Sequence, residues 1–157
     1  MFDVPIDGWY AWLGVATVSV LAFGTAASLP TAPPPDATSV ADAVDRTAAS
    51  QHGSTAEVPI DARQLRLGRQ QVGLRNDGGS SHASFAYGPV VPASDDSRLD
   101  AVLRGAPPAR EFDSPAALSA AGADAGTNDP DWRSATGTIL IRHVVWEGVD
   151  VTIVGQR

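Results

Sequence analysis

Side chains able to move a proton, hold a metal or attack a carbonyl are sparse and scattered along this sequence. The histidines are His52, His82 and His143, and none has a second histidine two or four positions away, the spacing that brings two imidazoles onto one metal. His143 falls on an apolar strand face, where a satisfied core or interface histidine is expected. His82 follows Gly79-Ser80-Ser81, a grouping that invites a serine nucleophile or an anion nest. The Gly-x-Ser-x-Gly elbow is absent, and adjacent Ser and His on one strand point to opposite faces, so a polar turn is expected instead. Asp95-Asp96 and Asp129-Pro130-Asp131 offer carboxylate pairs for acid–base work or for calcium. Neither matches a calcium loop with its distant glutamate, and both sit where turns and caps use aspartate anyway. Asn76–Ser81 is glycine-rich, yet it lacks the Lys-Ser/Thr of a phosphate loop and precedes a strand rather than a helix. Trp132 and Trp146 read as core or interface anchors. The absence of cysteine excludes disulfides, thiolate metal sites and cysteine catalysis. The chain therefore reads as non-enzymatic, with no catalytic, cofactor-binding or metal-binding residues and no cofactor.

What the sequence does specify is an anchor. Gly8–Leu29 holds no Asp, Glu, Lys, Arg or His. As a helix it reaches about 33 Å, slightly more than the hydrocarbon core of a bilayer. Trp9, Tyr10 and Trp12 crowd one end, where amphipathic rings favour the headgroup boundary. Pro30 and Pro33-Pro34-Pro35 stop the helix at the other end. Within it, Ala22 and Ala26, and Gly24 and Ser28, form small-xxx-small pairs that allow close helix packing in lipid, although Ala-rich spans also produce such pairs by chance. A secretory signal peptide wants a basic leader, whereas Met1–Asp7 carries Asp3 and Asp7 and no basic side chain. Thr25-Ala26-Ala27 nevertheless offers a small-residue cleavage site. The nearest basic residue after the span is Arg46, so charge determines orientation poorly, and the Pro-rich stalk favours the large domain outside the cell.

The expected organisation is a tail over 1–7, a transmembrane helix over 8–29, a stiff stalk over 30–35 and a soluble α+β domain over 36–157. All eleven basic residues are arginine, set against eighteen acids, for a net charge of −7. That balance excludes a nucleic-acid binder, which needs a basic face to displace phosphate counterions. It also opposes adhesion to an anionic lipid surface. Dense carboxylates without lysine suit a high-salt, haloarchaeal setting, and a GC-rich genome would produce a similar bias.

Along the domain, Asp36–Ser50 reads as a helix capped by Asp36, with Val40, Ala43, Val44 and Thr47 on one face. Thr55–Ile60 is an edge strand limited by Pro59. Gln64–Leu67 and Gln71–Arg75 alternate as paired strands, and the turn Asn76–Gly79 leads into a strand over Ser81–Tyr87 that shows Ala83, Phe85 and Tyr87 to one face. Gly88-Pro89 and Pro92 break the chain. Asp95–Leu103 is a helix with Leu99, Val102 and Leu103 inward, and a second helix starts at Ser114-Pro115, weakened at Gly122 and Gly126. Thr127–Thr136 reads as loop. Thr138–Trp146 and Val149–Val154 form a central hairpin around Glu147-Gly148. The fold class is α+β: one small domain with an antiparallel sheet of five or six strands and two or three short helices, following the transmembrane helix.

The layout, an N-terminal hydrophobic helix before a small β-rich domain, resembles type IV pilin-like proteins and pseudopilins. FDVPIDGWYAWLG, the LPTAPPP stalk and LGRQQVGLRNDGGSSHASFAYGPV together resemble an uncharacterised haloarchaeal family of single-span proteins. The resemblance implies an accessory or minor pilin-like subunit of an archaeal type IV pilus or secretion machine. Its partners would be the lipid bilayer, other single-span subunits and a secretion-type ATPase and platform. The prepilin pattern is incomplete: Gly8 follows Asp7 rather than a basic residue, and the helix lacks an early glutamate. An anchored receptor-like or chaperone-like binding module of the envelope is the alternative.

Overall fold

The computed structural model describes residues 6–27, 32–50, 53–93, 97–127, 129–135 and 137–157. It divides into two compact units, 1–31 and 32–157. The first contains helix α1 (Ile6–Ala27), which starts two residues earlier than the uncharged run suggests.

The second unit contains two four-stranded sheets. Its first helix, α2 (Ala37–Ala48), begins where Asp36 accepts a hydrogen bond from the Ser39 amide at 3.1 Å. Val40, Ala43, Val44 and Thr47 are all buried, so its apolar stripe lies where the periodicity puts it. The strands are β1 (Thr55–Pro59), β2 (Gln64–Leu67), β3 (Gln71–Asn76), β4 (Gly79–Ser84), β5 (Val90–Pro92), β6 (Arg133–Ser134), β7 (Thr138–Trp146) and β8 (Val149–Gln156). One sheet runs β1-β7-β8-β5 and the other β4-β3-β2-β6. The β7–β8 hairpin is central to the first sheet, and Glu147 and Gly148 both adopt positive φ, the backbone that matches a two-residue turn to strand twist.

Two apolar clusters hold these layers. The first joins α2, the inner face of β2 and β3 through Leu65, Leu67, Val72 and Leu74, and the facing side of the first sheet through Ile139, Ile141 and Val154. The second lies across the first sheet's other face, where Leu140, Val144 and Ile153 meet α3 (Ser97–Leu103), Phe112 just after the single-turn α4 (Pro108–Glu111), and α5 (Pro115–Ala125). Each fully buried Leu, Ile or Val contributes about 1.5–3 kcal/mol, so both faces of the first sheet are committed to core. On that second face Arg142 donates to the carbonyls of Val102 and Ala106, which closes the end of α3.

Four expectations need correction. There are two sheets rather than one, and they are not wholly antiparallel: β5 pairs with β8 in parallel. A continuous Val-Val-Pro run has no alternation to show it as a strand; its place on β8 supplies the structure. Strand β4 starts at Gly79 and ends at Ser84, so Tyr87 does not share a buried face with Phe85; it is 59% exposed. Asp45 causes the bend, because its carboxylate accepts the amides of Ala86 at 3.0 Å and Tyr87 at 2.9 Å. Residues 133–134 form β6 within the expected loop.

Candidate functional site

On α1 the expected boundary anchors are open: Trp9 and Tyr10 are each 64% exposed and Trp12 76%. Ala22 and Gly24 are exposed as well, and nothing lies within 4 Å of a Cβ added at Gly24. Ala26 lies within the helix, and Ser28 is outside the described residues. The hydroxyl of Thr17 donates to the Leu13 carbonyl at 2.8 Å and that of Thr25 to the Ala22 carbonyl at 2.8 Å. The helix thus satisfies these polar groups internally, as an apolar surrounding requires.

In the domain, the candidate chemistry is dispersed. Ser81 and His82 do point to opposite faces: the Ser81 hydroxyl accepts the Ala37 amide at 3.4 Å, while His82 is exposed on the outer face. There its ring meets the edge of Trp132 with centroids 5.8 Å apart, and the Arg75 guanidinium lies 4.3 Å from the Trp132 ring centroid. Gly73 makes this possible, since a Cβ there would lie 2.9 Å from the His82 ring and 3.1 Å from Trp132. His143 is 4% exposed; its Nε2 is 2.7 Å from Asp150 Oδ1, and its buried Nδ1 has no hydrogen-bond partner. Asn76 organises its own turn by accepting the Gly78 amide and donating to the Pro33 and Asp61 carbonyls, so the glycine-rich run is built as a corner. His52, Asp95 and Asp96 lie outside the described residues.

Asp129, Pro130 and Asp131 reach a common place: they line a cleft of about 1160 Å³. The β2–β3 turn at Gly68–Gln71, the segment Ser84–Pro89 and the end of α5 form its walls. Arg69, Arg98 and Arg133 line it together with Asp124, Asp129 and Asp131. Arg66 Nε donates to the Pro130 carbonyl at 2.7 Å and so fixes the Asp-Pro-Asp segment against β2. The Arg69 side chain lies over Gly126, in the space a Cβ there would take. A cleft lined by both signs suits a polar ligand that itself presents donors and acceptors. Arg69 and Asp124 went unread in the sequence, and Gly126 was read only as a helix weakener; a glycine at a helix end carries no sign that an arginine from 57 positions earlier packs on it.

A family model matches residues 3–144, from ahead of α1 to within β7. The chain belongs to DUF7283, a family of unknown function. No curated protein and no solved structure matches it. The matched region of this DUF7283 chain takes in α1 and every residue that lines the cleft except Gln156.

Proposed function

We propose that this DUF7283 chain is a non-enzymatic, membrane-tethered accessory subunit of the cell envelope, with α1 as its single span and the α+β domain displayed outside to bind partners. One observation carries the reading. The uncharged window Gly8–Thr25 is wholly exposed, whereas the core helices of a folded domain are buried. Both apolar clusters of the domain form from residues within 37–154, and α1 belongs to a separate compact unit. The lysine-free acidity supports a high-salt, haloarchaeal setting, and the single-span layout supports a pilin-like place in a type IV pilus or secretion-type machine. The mixed-charge cleft favours a second reading, a tethered receptor or chaperone-like module.

The test is gentle solubilisation from native membranes followed by identification of what purifies with the chain. A secretion-type ATPase or platform protein at constant ratio is the expected result. Recovery with a peptide or small ligand alone supports the receptor reading. Hydrolytic activity abolished by His82→Ala or His143→Ala contradicts both.

A further inference from the structure

Four strands form the sheet edges of the domain, and three of them resist further pairing. Strand β1 carries Glu57 and Pro59, β5 has three residues and ends in Pro92, and β6 has two. Proline, charge and brevity are the usual protections of an edge. Strand β4 has none of them: Gly79-Ser80-Ser81-His82-Ala83-Ser84 is six residues long and free of Asp, Glu, Arg and Pro, in a chain of net charge −7. Its ladder with β3 shows which groups are open. The Phe85 amide donates to the Gln70 carbonyl at 2.9 Å, and the pairing register continues through Ala83 with Val72 and Ser81 with Leu74. Hydrogen-bonded pairs alternate along an antiparallel ladder, so Ser80, His82 and Ser84 direct their backbone N–H and C=O groups away from β3. All three residues are exposed.

We infer that this edge pairs antiparallel with the same edge of a second copy of the chain, centred on His82. The open positions are symmetric about His82, so a twofold axis there sets Ser80 opposite Ser84 of the second copy and His82 opposite its own copy. That register gives about six backbone hydrogen bonds. On the inner face Ser81 meets Ala83 of the second copy. No facing pair contains Asp, Glu or Arg, and serine pairs can hydrogen-bond across strands. Between Gly79 and Ser84 the strip carries no acid, which allows two strongly acidic molecules to meet edge to edge there, and the contact closes as an isologous dimer rather than a filament.

The chain has no cysteine, so single introduced thiols report the register. In full-length chain in detergent micelles under mild oxidation, His82→Cys should form a covalent dimer of doubled mass. Directly paired Cα atoms lie about 5.5 Å apart, within disulfide reach. Ser80→Cys and Ser84→Cys, each alone, should cross-link at least tenfold less, since each lies about 14 Å from its own copy. Mixing those two variants should restore cross-linking, which keeps the test informative if His82→Cys misfolds. Adding Ser84→Pro, which removes an outward N–H and no internal hydrogen bond, should abolish the His82→Cys dimer. Equal cross-linking of all three single variants, or of none of them and of the mixture, would overturn the inference. The outcome does not depend on whether α1 crosses a bilayer.

Discussion

At the scale of single residues, His143 carries a buried side-chain nitrogen without a hydrogen-bond partner among the described residues. Its other ring nitrogen depends on Asp150 alone. Asp150→Ala should lower unfolding free energy by about 1–3 kcal/mol, because it leaves a buried donor or acceptor unmet. Asp150→Asn keeps an oxygen in place and should lose less; urea denaturation of the two variants checks the order. The burial of His143 was legible, since alternation along Thr138–Trp146 places it with Ile139 and Ile141. Its partner was not, because the hairpin register brings Asp150 close from the next strand. Gly73 was equally silent in sequence. Its role depends on two rings that arrive from β4 and from Trp132, and Gly73→Ala should displace both and change Trp132 fluorescence.

At the scale of elements, what repeats over many residues was readable and what rests on one contact was not. The stripe of α2, the β2–β3 pair and the central hairpin all follow from period 3.6 or 2 with good caps and turns. Strand β5 has three residues and no period, so only tertiary pairing defines it. Gly122 reads as a helix weakener, yet α5 needs it: a Cβ there would lie 2.9 Å from Val91 Cγ2, where the helix crosses β5. Gly122→Val should therefore destabilise by about 1–3 kcal/mol through overpacking despite valine's side-chain burial, measured as a lower thermal midpoint. Gly105→Ala adds no such contact, but its φ of +116° disfavours any side chain, so a smaller loss is expected there.

At the scale of the whole molecule, the division into an apolar helix and a self-contained domain is the feature most strongly written in the sequence. Twenty-two uncharged residues followed by prolines need no tertiary information to be recognised. The cleft does, because it is assembled from segments as far apart as Leu65 and Gln156 and carries no motif. If the domain's clusters are complete without α1, a chain beginning at Ala32 should keep the thermal transition of the full chain and should wash off membranes that retain the full chain. The most direct measurement of the tether is the intact mass and N-terminal sequence of the native protein recovered from alkaline-washed membranes. The tethered reading predicts a chain that retains Trp9 through Leu29, whether or not the first few residues have been removed. A native protein that begins near Ser28 and is recovered in the wash would contradict it, and α1 would then be a cleaved leader.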